Sequence, residues 1–556
     1  MTNAAFFGIA DKLIEKFSEE FAKKFGAEVY ELAKKKRFFD RLIDTVKKFF
    51  LLFYQRRTLF IIGAGEIATE ISIAAINKGW RVVAVGREAE YSPLDEKAPI
   101  SVKNIPYYRH VRIKEKQGLY FERWPSKEKS FQWAVREKLD TDTLCDMITY
   151  VKPDVVLLED MFLLPDKWIN LYQKVLETFS AKGIQNKVLF LPPVLEFRDK
   201  KYSVSDILMS KKHQKEFLAS IRFAEHLLGT PNDVIEVDIR GGKIKSDGTS
   251  KIASALQKSK KIILKWDTIS SGHGQIVIED LSQLTPDIIQ QSIKYSQRRV
   301  RNTYYVIDKY LDNKKEAIVI VAKTKEGLKI LDGIYYEKYD VEKIKEQRYK
   351  FLSRLKRSET MKGDPTLWDY LNKIAIKISE MLPIPFVYVE FLLDVTEKLS
   401  VPKIYINEVS YRPDDAGFVT LLSHDESQFS IFMDSLEWWL AGAGGFNSAM
   451  KKTIRYEEGI ACVTICPKEK IDRWPRENIG YPMLKGPRAK HFIINFYEKF
   501  VLERDGTVDY GRIVGFIWHH KETDPMIILN EFKEALDLGE LFRIVYEFLE
   551  EQSKGD

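Results

Sequence analysis

Two stretches of this chain are apolar enough to be buried strands, yet each carries a glutamate. One is Phe386-Val387-Tyr388-Val389-Glu390-Phe391; the other is Ile404-Tyr405-Ile406-Asn407-Glu408-Val409-Ser410, with Glu408 eighteen residues after Glu390. A carboxylate embedded in an apolar strand is costly unless it is paired or metal-bound. Two of them on neighbouring strands repel without a cation. Magnesium, taking one or two carboxylates plus phosphate oxygens, relieves that repulsion. The spacing therefore predicts paired strands meeting at Glu390 and Glu408; the plainer alternative is two edge residues facing solvent. Arg412 and Asp415 follow at once, adding a cation and another carboxylate to the same mouth.

Composition sets the scale around this pair. At 45% hydrophobic, 12% aromatic and 30% charged, the 556 residues are those of a folded chain, neither disordered nor collagenous. That length predicts about three to five domains. We divide them as a helical extension over 1–57, an α/β domain over 58–200, a two-lobed domain over 201–445, and a β-rich domain with a terminal helix over 446–556. No apolar run is long enough to span a bilayer; Phe49 to Tyr54 stops at Gln55. Cys145, Cys462 and Cys466 are too few for a disulfide framework, so a reducing, cytoplasmic setting is expected.

The net charge of +7 is unevenly spread: residues 1–57 hold thirteen Lys/Arg against eight Asp/Glu. The nearly neutral remainder argues against a nucleic-acid-binding core. In the extension, Phe6, Ile9, Leu13, Phe17, Phe21 and Phe25 recur at helical spacing. A helical hairpin packed on the body or on a second subunit is one reading, and a membrane-surface amphipath is the other. We expect a homodimer and small-molecule partners.

At Thr58 the period changes. Leu59-Phe60-Ile61-Ile62, the turn Gly63-Ala64-Gly65-Glu66, a helix, and Arg81-Val82-Val83-Ala84-Val85 read as a βαβ unit. Such a turn offers backbone N–H groups to an anion, and Glu88 lies near the distance expected of a ribose-binding acid in a dinucleotide fold. A purely structural tight turn fits the same residues. Glu66, directly after the second glycine, suits an amine or hydroxyl better than a pyrophosphate. Further on, Ile262-Ile263-Leu264-Lys265 delivers a lysine, and five residues later Ser270-Ser271-Gly272-His273-Gly274-Gln275 begins. Glycines and serines there would let backbone and hydroxyl donors approach phosphate oxygens. The lysine precedes the loop, so this is no Walker motif; a bare hairpin tip is the competing reading.

The run Asn407-Glu408-Val409-Ser410-Tyr411-Arg412-Pro413-Asp414-Asp415-Ala416-Gly417-Phe418-Val419-Thr420-Leu421 resembles the metal-binding signature of ATP-grasp enzymes. Within that superfamily it is most similar to formate-dependent phosphoribosylglycinamide formyltransferases of purine biosynthesis. The resemblance takes in the Gly63–Glu70 turn, the Lys152–Glu159 strand, the Lys265–Gln275 loop and the Cys462–Pro467 strand. It implies an α/β ATP-grasp fold: a parallel-sheet, Rossmann-like N-terminal domain, a two-lobed nucleotide domain and a small β-rich C-terminal domain.

It also implies roles. Lys211 and Lys265 match basic residues that contact ATP, and Ser270 to Gln275 match the phosphate loop. Asp308, Lys309, Tyr310 and Leu311 match the hinge that lines adenine, and Glu316 the ribose carboxylate. Glu390 and Glu408 match the magnesium ligands. Glu66, Ile67, Glu159 and Asp415, with Lys499 and Arg512, match positions that hold the amine substrate; Arg412 matches the signature arginine and is assigned, with Asp415 and Lys265, to catalysis. The implied chemistry is ATP- and Mg2+-dependent activation of formate, or of another carboxylate, for transfer to an amine such as glycinamide ribonucleotide. The family's loop lysine is His273 here, its hinge glutamate is Asp308, its proline before the arginine is Tyr411, and its histidine before the aspartate is Asp414. One member of its arginine pair is Ile513. These departures leave open a different acid or amine, or an inactive homologue acting through its extension.

Overall fold

The structure, a computed structural model, describes residues 57–63, 66–87, 112–114, 120–123, 131–136, 140–159, 163–185, 188–197, 202–238, 243–268, 275–297, 303–340, 354–360, 365–396, 402–442, 450–455, 459–467, 492–497 and 510–518. Two compact units divide the chain, Met1–Arg57 and Thr58–Asp556. The helices expected in the extension and at the end of the 446–556 domain lie outside the described residues. No described helix is long and apolar enough to cross a membrane.

The described residues of the second unit form three sheets. The first holds β1 (Thr58–Ile62), β2 (Arg81–Arg87), β3 (Arg112–Lys114), β4 (Tyr120–Arg123), β5 (Phe131–Arg136), β6 (Val155–Leu158) and β7 (Leu189–Leu191), in the order β3-β4-β5-β2-β1-β6-β7. From β5 to β7 the neighbours are parallel. Parallel strands are covered on both faces and read as unbroken apolar runs. Accordingly Leu59, Ile61, Val155 and Leu157 join one core cluster, while Phe60, Ile62, Val156 and Leu158 join another. The chain leaves β1 for β2 on one side and returns to β6 on the other. That is a topological switch point, where open α/β sheets bind ligands beyond the strand C-termini.

A second, five-stranded sheet contains β8 (Val234–Asp238), β9 (Lys243–Ile244), β10 (Ile262–Trp266), β11 (Ile276–Ile278) and β12 (Tyr304–Lys309), ordered β11-β10-β12-β8-β9. Alternation along these antiparallel strands splits their side chains cleanly. Leu264, Trp266, Ile276, Ile278, Tyr305 and Ile307 form an apolar core, with Trp266 stacked on Tyr305 at 3.9 Å between ring centroids. The opposite face receives Ile263, Lys265, Val277, Val306 and Asp308, which the register sets side by side.

The third sheet contains β13 (Lys314–Thr324), β14 (Gly327–Asp340), β15 (Arg354–Thr360), β16 (Phe386–Asp394), β17 (Lys403–Ser410), β18 (Lys451–Thr453), β19 (Gly459–Pro467), β20 (Phe492–Tyr497) and β21 (Tyr510–Trp518). Its order is β17-β16-β13-β14-β15-β19-β21-β20, with β18 beside β14. The C-terminal strands thus prolong the same sheet through the β15–β19 pairing. Helix Pro365–Met381 buries Leu371, Ile374 and Ile378 in the cluster that holds Val319 and Val321.

Strand β17 is an edge, and unpaired edge amides invite other chains. Here they are covered from within. The Gln214 side-chain amide donates to Val409 O at 2.8 Å and accepts from Val409 N at 2.9 Å, so one side chain does the work of a strand residue. His226 Nδ1 lies 2.9 Å from Ile404 O. Periodicity predicts one helix from Lys211 to about Leu228, but the helix is Lys211–Ser220. Arg222 turns left-handed at φ 70°, and a short 3-10 turn, Ala224–His226, carries His226 to the edge.

Candidate functional site

The two glutamates meet as their spacing predicts. Glu390 of β16 stands directly opposite Glu408 of β17, and therefore on the same face of the sheet. The next partners are Phe391 and Ile406, so Asn407 is an extra residue in β17. A bulge of this kind sets two residues against one and re-aims a side chain. Asn407 uses it to donate from Nδ2 to Glu390 Oε1 at 2.6 Å. The same register runs from Glu390 to Ile318 and from Glu316 to Leu392, so Glu316 shares that face with both glutamates. Glu316 is buried, with Lys314 Nζ 2.9 Å from its Oε1.

Lys265 approaches from the second sheet. Its Nζ donates to Asn407 Oδ1 at 2.8 Å and lies 3.0 Å from Asp308 Oδ2. Lys265 and Asn407 therefore join the two sheets across the site. Asp308 also bonds Lys215, and all three of Lys215, Lys265 and Asp308 are buried. Burial alone would push the Asp308 carboxyl up, but the two lysines override it and hold it below the usual carboxylate range. Lys211, the first residue of its helix, is lowered by burial against the attraction of Glu408 and Asp267. Lys309 ends β12. Beyond it Tyr310 lies under Lys261, 4.6 Å from Nζ to ring centroid, and Leu311 is buried. Gln275 directly precedes β11; Ser270, Ser271, Gly272, His273 and Gly274 lie outside the described residues.

A second charged group gathers where the turn after β17 reaches the switch point. Tyr411 is buried, and its hydroxyl donates to Leu158 O, the last residue of β6, at 2.5 Å. Glu159 comes next and bonds through its N to Ile62 O, the end of β1, at 2.9 Å. Arg412 is buried beside it and donates to Pro413 O at 2.8 Å. Burial opposes the Arg412 charge, but Asp414, Glu159 and Asp415 outweigh it and raise its pKa. Asp415 opens a 3-10 turn, Asp415–Val419, capped by Asp414, whose Oδ1 accepts from Asp415 N at 2.7 Å. Buried Tyr388 and Tyr336 both have hydroxyl pKa values raised well above normal, first by burial and then by Glu390, Asp414 and Asp415. The two charged groups are thus electrostatic neighbours.

Other expected residues fall elsewhere. Glu66 begins the helix Glu66–Asn77, at the mouth of the switch point. Ile67 puts its side chain in the apolar core, leaving only its backbone for a ligand. Arg512 pairs with Ile465 and Tyr497 in β21, and Lys499 lies outside the described residues. Among the described residues no three His, Cys, Asp or Glu side chains converge as a metal cage.

A family model for the ATP-grasp domain matches residues 244–429. This chain carries an ATP-grasp domain. No curated protein sequence matches the chain. Among solved structures, a biotin carboxylase from Campylobacter jejuni in a β,γ-ATP complex is 15% identical with a TM-score of 0.52, over 86% of this chain and 91% of that one. The biotin carboxylase domain of a 2-oxoglutarate carboxylase from Hydrogenobacter thermophilus, with MgADP, ADP and bicarbonate, is 13% identical with a TM-score of 0.52, over 87% and 90%. A carboxyaminoimidazole ribonucleotide synthase from Aspergillus clavatus, complexed with ATP, is 14% identical with a TM-score of 0.50, over 87% and 98%. At these identities the likeness is one of fold.

Three residues around the site are not singled out by the sequence: Asn407, inside the matched ATP-grasp domain, and Gln214 and Lys215, which precede it. Asn407 stood in the quoted signature, but its role depends on a bulge that alternation does not announce. Lys215 does have a signal: it follows Lys211 by four residues and so shares its helix face.

Proposed function

We propose that this chain is an ATP- and magnesium-dependent ligase that activates a carboxylate as an acyl phosphate and passes the acyl group to an amine. Formate and glycinamide ribonucleotide are the first acid and amine to try. The observation that carries the reading is that Glu316, Glu390 and Glu408 share one sheet face and that Lys265 reaches it from another sheet, joined through Asn407.

The residues present suit magnesium. Two acceptor-only carboxylates stand opposite each other on one face, leaving the remaining ligand positions to water and phosphate. Bound there, the metal supplies neutralisation of phosphate charge. The chain does the rest. Lys265 and Lys211 attract and orient the phosphates, Glu316 accepts from ribose hydroxyls, and Arg412 faces the transferring group.

Glu66 and Glu159, at the strand ends of the switch point, favour a cationic or polyhydroxyl amine. The amine must be neutral to attack, and Asp415 is placed to take its proton. Lys499 and Arg512 would hold a phosphate on that amine, so Arg512→Ala raises the Michaelis constant only for a phosphorylated amine. Tyr411 and Asp414 motivate a second reading, in which the ligase is the same and the acid or amine differs. ADP release measured against formate, acetate and amino acids, with and without glycinamide ribonucleotide, decides between them. No acid- or amine-stimulated release with any pair would refute the ligase reading.

A further inference from the structure

A buried carboxylate is neutralised by one lysine, yet Asp308 has two. Lys215 and Lys265 both bond it, from a helix and from a strand, with all three side chains nearly out of water. Burying a second ammonium on an already matched pair costs desolvation and adds little attraction. The surplus makes sense where the group faces an anion.

The loop behind the pair is built to close it off. Leu228 O accepts from Lys309 N at 3.0 Å, and Asp233 O accepts from Ile307 N at 2.8 Å, pinning 228–233 to β12. A Cβ on Gly229 would stand 2.3 Å from Ile307 O, 3.0 Å from Asp308 Oδ1 and 3.1 Å from Lys215 Nζ. Only glycine lets the backbone come that near. Excluding water there strengthens each charge's effect on the others.

We infer that Lys215 is a positioning residue for nucleotide phosphates: it takes up the charge of Asp308, so that Lys265 keeps its own for the ligand. The inference rests on the ATP reading of the site. Three charges, two positive and one negative, leave the cluster at one net positive. Without Lys215, Asp308 cancels Lys265 and holds it back from the phosphates, and the cluster is neutral. Removing Asp308 as well restores the single positive charge on Lys265. A residue that merely braced the helix would show no such restoration.

The test is equilibrium binding of ADP and of uncharged adenosine to the full chain, at fixed magnesium. Lys215→Met should weaken ADP about ten-fold or more while moving adenosine less than about two-fold. Because Asp308 also belongs to the expected adenine hinge, the double variant Lys215→Met with Asp308→Asn is read as the ratio of ADP to adenosine affinity, which should return to within about three-fold of the wild type. Equal losses for ADP and adenosine would overturn the inference, as would a double variant no better than the single one. Should Lys215→Met fail to fold, Lys215→Gln and the double variant make the same comparison. If the wild-type chain binds no ADP, the nucleotide reading itself falls, and this inference with it. If the wild type binds and the variants show no charge-dependent pattern, only this inference falls.

Discussion

Where we propose that ATP binds, called the nucleotide side below, the charges stand on strands. Glu316, Glu390, Glu408, Lys265 and Asp308 are each set by an antiparallel register, and Asn407 ties one sheet to the other. Where we propose that the amine binds, called the amine side below, they stand at strand ends and in a turn. Glu159 follows β6, Arg412 and Asp415 follow β17, and Tyr411 joins the two at Leu158 O. A register is held by many hydrogen bonds at once, whereas a turn is held by a few. The first arrangement suits chemistry common to every substrate. The second can be retuned by one or two substitutions, and this is where Tyr411 and Asp414 depart from the formyltransferase pattern.

The largest expected effect is on the strand-borne side. Glu390→Gln or Glu408→Gln should lower magnesium-dependent ATP turnover by about three powers of ten or more, with the fold retained. Without metal, each change removes like-charge repulsion, so thermal unfolding should move little or upward. Full turnover in either variant would break the comparison at its firmest point.

Acid should act on the segment after β17 before it acts on Asp308. His424 closes the segment that begins with the signature turn, bonding Ser423 Oγ at 2.9 Å and Asp332 O at 3.2 Å. Burial pushes its pKa from 6.5 down to about 4. A depressed folded value means that its contribution is full above pH 6.5 and is lost as pH falls towards 4. That loss is on the order of 3 kcal/mol. Asp308 is also depressed, from 3.8, so its contribution is lost only below about pH 4. Denaturant midpoints followed against pH should show the first loss in the wild type and a flattened slope in His424→Gln. An unchanged slope would remove His424 as its cause.

Smaller effects belong to the turn. Asp415→Asn should slow the amine-dependent step about 100-fold while sparing amine-independent ATP hydrolysis. Equal damage to both would place Asp415 with the nucleotide instead. Tyr411→Phe removes one buried hydrogen bond, worth about 1 kcal/mol. It should raise the Michaelis constant for the amine and leave that for ATP unchanged; a shift in the ATP constant would mean that the two sides are not separable.

The same division governs what the sequence made legible. A glutamate inside Phe386–Phe391 is conspicuous because alternation and apolarity leave it no cheap explanation, and its pairing with Glu408 follows from strand geometry. Lys265 was legible for the same reason. Lys215 sits on an amphipathic helix among other lysines, where a charge reads as a solvated face, and only the fold brings it to Asp308. Gln214 shows no pattern at all, since its partner is a backbone edge 195 residues away. Tyr411 was noticed as a departure, but its meaning needed Leu158 on a sheet that sequence spacing does not connect to it.

We propose that the second and third sheets hold ATP through Lys265, Glu390 and Glu408, and that the nucleotide is not a nicotinamide dinucleotide at the first glycine turn. Calorimetric titration of the full chain with ATP and with NADH, each with and without magnesium, tests it most directly. ATP should bind, magnesium should tighten it in the wild type and not in Glu390→Gln, and NADH should give no heat of binding. Tight NADH binding that is lost in Gly65→Val, with no binding of ATP, would contradict it.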